Sequence, residues 1–248
     1  MERIKENIAS LKLPQVPLAC PFHSSPDYWV WNPLAAGSKV ILLDESTAIF
    51  HPVFSNSTQA ILGTVSLNGG IRYWEIVFAQ RVFGTAMMVG IGSSNARLES
   101  KSFDPLIGED ANSWGLSHKG YIHHNGISYK YCEPFAEHVP TVVGILFDGV
   151  NGTLTFFKDG VNLGIAFRGI VEPNQSLYPM ICSTAAKTIM RVQNQRRCNL
   201  TLQDLCRDSI LKHLSEPGDV LKLKISPRLR QYVFQHSWKI PVPKKHRP

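Results

Sequence analysis

The sequence predicts a mainly β fold, a twisted antiparallel β-sandwich followed by a small α-helical appendage near the C-terminus. Three observations point there. The 248 residues include 18 glycines and 16 prolines but only 18% charged residues, a balance suited to many turns joined by short strands. Short apolar or alternating runs recur between those turns. One late segment breaks the pattern with three- and four-residue spacing. A hydrophobic content of 44% in a chain of this length supports one sizeable core, so one main domain plus an appendage follows.

Residues 1–27, with Pro14, Pro17 and Pro21, predict an irregular lead-in. From Tyr28 the runs 39–43, 60–66, 73–78, 86–91, 113–116 and 142–147 each predict a strand, bounded by turn residues. Asn68-Gly69-Gly70, Asn125-Gly126, Asn151-Gly152 and Asp159-Gly160 supply the positive φ that tight hairpins need. The last two flank Thr153–Phe157 and, with residues 161–167, predict a hairpin. Helical spacing begins at Thr201, where Leu202, Leu205, Cys206, Ser209, Ile210 and Leu214 fall on one stripe. Asn199 or Thr201 can cap this helix, Asp204 completes an acidic variant of a capping box, and Pro217-Gly218 is expected to end it. A second, shorter helix is expected over residues 227–234.

Chemistry is harder to find. Ser117-His118 sits beside glycines, but the spacing is not that of a nucleophile elbow, and neighbours on a strand face opposite ways. Gly90-Ile91-Gly92 lacks the third glycine of a dinucleotide loop. Cys20 with His23, and His123-His124 with Cys132, are each half of a metal site with no further ligand at zinc spacing. The expectation is a non-catalytic protein with no metal or cofactor. Five cysteines without a CxxC pair suggest reduced thiols. No signal-peptide stretch or run of about 18 apolar residues occurs, so a cytoplasmic or nuclear location without membrane attachment is expected.

Charge is unevenly placed. Residues 1–186 hold 12 Lys+Arg against 15 Asp+Glu, whereas residues 187–248 hold 14 against 4. A basic tail could touch nucleic acid. A solvated helical face with a basic tail is the preferred reading, and nucleic acid is an unlikely partner.

One set of ordered motifs carries a resemblance. Tyr73-Trp74-Glu75-Ile76, Val89-Gly90-Ile91-Gly92, Ser113-Trp114-Gly115, residues 144–148, residues 152–160 and Leu177-Tyr178-Pro179 together resemble a SPRY domain over residues 28–194. Thr201-Leu202, Cys206 and Ile210 resemble the elongin-binding element of a SOCS box, which would span residues 198–236 and leave 237–248 as a basic tail. A small thiol between two larger aliphatics, four residues apart on a helix, makes a stripe able to enter a partner's groove. The pair of modules resembles the SPRY domain-containing SOCS box family, and the segment from Cys182 to Lys187 is most similar to its third member.

That resemblance implies a substrate-recognition adaptor of a ubiquitin ligase, not an enzyme. It implies a peptide site near Pro52, Phe54, Phe103, Leu106, Ser183, Thr184 and Ala185, which would take a short, Asn-containing degron on a target protein. The family's arginine before Pro52 and its Val-Trp-Gly element are absent here, which suggests a different motif. Elongin B and elongin C would dock on Thr201, Leu202, Leu205, Cys206 and Ile210. A cullin-5 type scaffold with its RING protein would meet Leu223, Ile225, Pro227, Leu229 and Tyr232, although Leu223-Lys224-Ile225-Ser226 stands where the family has Leu-Pro-x-Pro. The alternatives are a SPRY interaction module without a ligase role and a nucleic-acid binder using the basic tail.

Overall fold

The computed structural model describes residues 24–79, 82–170 and 175–198, and in the C-terminal part residues 202, 206, 209–211, 213–214, 217–230 and 233. Residues up to Cys198 form one compact unit and those from Asn199 a second.

The first unit is built from β1 (Ser24–Pro26), β2 (Trp31–Ala36), β3 (Val40–Leu42), β4 (Thr47–Phe50), β5 (Thr58–Gly63), β6 (Ile71–Phe78), β7 (Met87–Ser93) and β8 (Glu99–Ser100). It continues with β9 (Ser113–Ser117), β10 (Tyr121–His124), β11 (Ile127–Lys130), β12 (Thr141–Asp148), β13 (Thr153–Lys158), β14 (Val161–Arg168), β15 (Leu177–Ser183) and β16 (Thr188–Cys198). They form two antiparallel sheets. The first runs β14-β13-β12-β6-β16-β4-β3 with β1 also on β16; the second runs β11-β10-β9-β7-β15-β5-β2 with β8 on β5.

Three of the four predicted turns join paired strands, whereas Asn68-Gly69-Gly70 leads from β5 in one sheet to β6 in the other and forms no hairpin. Asn125-Gly126 and Asp159-Gly160 both take positive φ at each residue, the geometry that joins β10 to β11 and β13 to β14 without splaying the strands. Alternation on β6 shows how the core is chosen. Trp74, Ile76 and Phe78 enter the main cluster between the sheets, where Trp29 packs edge-on against Trp31 and Trp74 at 5.2 and 6.2 Å. A smaller cluster uses the other parity of β5, β7 and β15, joining Ala60, Leu62, Met88, Met180 and Cys182 to Ala96, Leu106 and Ile107.

One further expectation is corrected. Ser24–Pro26, placed in the irregular lead-in, pair with Arg196–Cys198 as strand β1, because β16 extends far enough to offer them an unpaired backbone edge. Residues 213–214 are no longer α-helical, in keeping with a helix that stops before Pro217-Gly218, and that pair opens a separate 3-10 helix over Pro217–Lys222. Proline fits a first helical turn because the N–H it lacks would have no partner there. The predicted sites Thr201, Leu205 and Tyr232, the cap residues Asn199 and Asp204, Cys20 and His23, and the basic tail lie outside the described residues.

Candidate functional site

Three connections meet at one end of the sandwich, and side chains tie them together. The β4–β5 connection, residues 51–57, begins at His51, a fully buried residue with φ of 48°. Its N–H donates to the Lys39 carbonyl at 2.9 Å, and its carbonyl accepts from the Lys187 N–H at 3.0 Å. Its Nε2 meets the Ser183 carbonyl at 3.2 Å, while Nδ1 is buried with no partner among the described residues. Lys187 is itself left-handed, with φ of 59°. Two such non-glycine residues held by one hydrogen bond indicate a shape fixed by its surroundings.

The other links are polar. Ser55 Oγ donates to the Thr184 carbonyl, joining the first connection to the β15–β16 connection. Thr58 Oγ1 can reach both the Ser102 and Asp104 carbonyls at 2.9 Å, which brings in residues 101–106. The hydroxyls of Ser102 and Ser100 bond the Asp104 carboxylate and lower its pKa from the usual 3.8.

The sequence-predicted residues separate by exposure. Phe54 and Phe103 are 63% and 46% exposed, and Pro52 is half-buried. Val53, which sequence reasoning passed over, is 76% exposed. Leu106, Ser183, Thr184 and Ala185 are buried beneath the rim. The Ser183 hydroxyl donates to Thr188 Oγ1 at 3.1 Å and Thr184 Oγ1 serves Ala86, so these side chains shape the floor from within. Lys39, also overlooked, sets its Nζ 5.5 Å from the centre of the Phe54 ring and donates to Asn56. The surface offered therefore includes two exposed phenylalanines and a valine, with the Lys39 cation beside Phe54. Such aromatic anchors on a rigid scaffold suit the capture of a short peptide.

The catalytic fragments do not assemble. Ser117 Oγ accepts the Lys119 N–H at 3.2 Å, while the buried His118 takes the Met87 N–H on Nδ1 at 3.2 Å. Burial holds His118 below the ordinary imidazole pKa of 6.5, as it does His51 and His123. Among the described residues no three His, Cys, Asp or Glu side chains group to hold a metal ion, and no helix is long and apolar enough to cross a membrane.

In the second unit Leu202, Cys206 and residues 209–211 are α-helical. Leu202 is 77% exposed, Cys206 is exposed and Ile210 is half-buried. After the 3-10 helix, residues 227–230 and Val233 are again α-helical. Leu223 and Ile225 are half-buried, whereas Pro227 and Leu229 are exposed.

Comparison with known proteins agrees with this architecture. The SPRY domain family matches residues 71–196. SPRY domain-containing SOCS box protein 3 of Xenopus laevis is 36% identical over 202 residues, covering 80% of this chain and 54% of its own length. The chain thus spans about half the length of that frog protein and of its Xenopus tropicalis counterpart. SPRY domain-containing SOCS box protein 1 of Homo sapiens is 30% identical over 219 residues, 82% of this chain and 79% of its own. The SPRY domain of human HERC1 superposes with a TM-score of 0.54 at 15% identity, over 69% of this chain and 99% of that domain, a likeness of fold alone. The frog matches support the third-member likeness read from residues 182–187. On sequence and fold together, this chain belongs to the SPRY domain-containing SOCS box protein family.

Proposed function

We propose that the chain is the substrate-recognition adaptor of an elongin B/C cullin-RING ubiquitin ligase. Residues 51–57, 101–106 and 183–187 form the receiving surface for a short, Asn-containing peptide on a target protein. Pro52, Phe54 and Phe103 contact that peptide, and Leu106, Ser183, Thr184 and Ala185 hold the floor. The helix carrying Thr201, Leu202, Leu205, Cys206 and Ile210 docks on elongin C with elongin B. Leu223, Ile225, Pro227, Leu229 and Tyr232 meet a cullin-5 type scaffold and its RING protein. The chain supplies no chemistry of its own. Holding a target lysine near a ubiquitin thioester raises its effective concentration by orders of magnitude.

The observation that carries this reading is the exposure of Leu202 and Cys206, four residues apart on helical backbone. An apolar side chain left 77% exposed in this register is what a helix-in-groove contact requires. Leu202→Asp and Cys206→Asp, tested by co-purification with elongin B/C, are expected to lose the elongins and keep the target. Retained elongins in both variants would remove the ligase half of the reading and leave a SPRY interaction module. The cytoplasm, the nucleus or both would house this activity.

A further inference from the structure

Residues 223–226 connect the 3-10 helix Pro217–Lys222 to the helical residues from 227 onward. Leu223-Lys224-Ile225-Ser226 contains no proline, so no ring fixes φ within it, and only Ser226, which precedes Pro227, is restricted by its neighbour. Hydrogen bonds close both of its ends. The Leu223 N–H donates to the Val220 carbonyl at 3.3 Å, and Ser226 receives the Arg230 N–H on its carbonyl at 2.9 Å. Ser226 Oγ also accepts from the Leu229 N–H at 3.4 Å, acting as an N-cap before Pro227.

The middle of the segment is held by one side chain. Arg230 Nη2 donates to the Leu223 carbonyl at 2.9 Å and to the Ile225 carbonyl at 3.4 Å. This nitrogen carries two hydrogens, one for each carbonyl flanking Lys224. Its Nε is buried with no acceptor among the described residues, and the bonds to this segment come from the end of the guanidinium. Around the segment, Leu221 and Leu229 are exposed large apolar residues and Pro227 is exposed.

We propose that Arg230 is a clamp that fixes the shape of residues 223–226, doing by hydrogen bonds what prolines would do by ring closure. The inference rests on the cullin part of the proposed function for its consequence: a segment already ordered need not be ordered on docking, so the clamp raises affinity for the scaffold. Arg230 is a positioning residue here, acting through the backbone it holds.

The test uses the full chain in complex with elongin B/C, with two readouts: amide exchange at Leu223 and Leu229, and calorimetric affinity for a cullin-5 N-terminal domain. Arg230→Met is expected to speed exchange at both amides and weaken cullin binding about tenfold, the equivalent of ordering roughly one backbone residue. Elongin co-purification stays unchanged, which controls for folding. Arg230→Lys, with one nitrogen able to reach a carbonyl, falls between. Lys224→Pro removes no backbone hydrogen bond seen among the described residues, and added to Arg230→Met it should restore most of the affinity. Unchanged exchange and affinity in Arg230→Met would overturn the clamp, as would a loss that Lys224→Pro does not repair. A wild-type complex that takes up no cullin, while Arg230→Met still speeds exchange, would sustain the clamp and remove the cullin part of the proposed function.

Discussion

His51 Nε2 lies 3.2 Å from the Ser183 carbonyl oxygen, so a residue at the end of β4 in one sheet holds the end of β15 in the other. This contact sits under the exposed loop that carries Val53 and Phe54. It joins the sandwich's stability to the shape of the candidate peptide surface.

Acid should loosen this arrangement. Desolvation holds the buried His51 and His118 below the ordinary imidazole value of 6.5. Below 6.5 the unfolded chain takes up protons that the fold refuses, so the stabilisation is complete above that pH and is lost as pH falls through the folded values. Melting temperature should be nearly constant from pH 6.5 to about 9, where the unfolded Cys182 thiol begins to ionise, and decline beneath pH 6.5. His51→Gln should make the decline shallower, and an unchanged pH profile in that variant would exclude His51 as a source.

Phe54→Ala and Phe103→Ala should separate binding from folding. Both side chains are exposed, at 63% and 46%, so each truncation should change stability by less than about 0.5 kcal/mol. Target affinity should fall by about 1–2 kcal/mol if these rings anchor a peptide. Paired melting and pull-down measurements decide it, and full target capture in the double variant would move the binding surface elsewhere.

Gly90→Ala probes the second sheet. A Cβ there would stand 2.0 Å from the Trp114 carbonyl oxygen and 2.7 Å from the Gly115 backbone, where β7 and β9 pair Gly90 with Gly115. Strand backbone cannot retreat as a flexible side chain would. A loss of about 3 kcal/mol or more is expected by denaturant melting.

Thiol labelling should distinguish the two units. Cys182 is fully buried and its thiol is pushed up to about 12, whereas Cys206 is exposed. Iodoacetamide followed by peptide mass mapping should modify Cys206 in the native chain and Cys182 only after denaturation. Bound elongins should shield Cys206, and equal labelling with and without them would place the contact off this helix face.

How much of this was legible in advance depended on whether the signal was local. The β13–β14 hairpin announced itself through Asp159-Gly160, whose positive φ is a property of two residues. Pro179 shows the opposite case. It stands in β15, between β7 and β5, where local rules argue against a proline. The strand tolerates it because β5 pairs only from Met180 onward, so the missing N–H falls beyond that ladder. For β1, only the reach of β16 could reveal a pairing partner. At the candidate site, Phe54 and Phe103 were found by resemblance, whereas Lys39 and Thr58 became visible only when the chain brought residues 17 and 44 positions apart together. His51 gave no local sign, since its left-handed backbone is imposed by Lys39 and Lys187 on either side.

Ser24 is register partner to Cys198, so the first and last strands of the sandwich end side by side. A short peptide bridge could therefore join them, and new termini could be cut at the Asn125-Gly126 hairpin tip. Such a circular permutant of residues 24–198 would keep the strand partners of both sheets while moving the free ends to the opposite side of the β10–β11 turn.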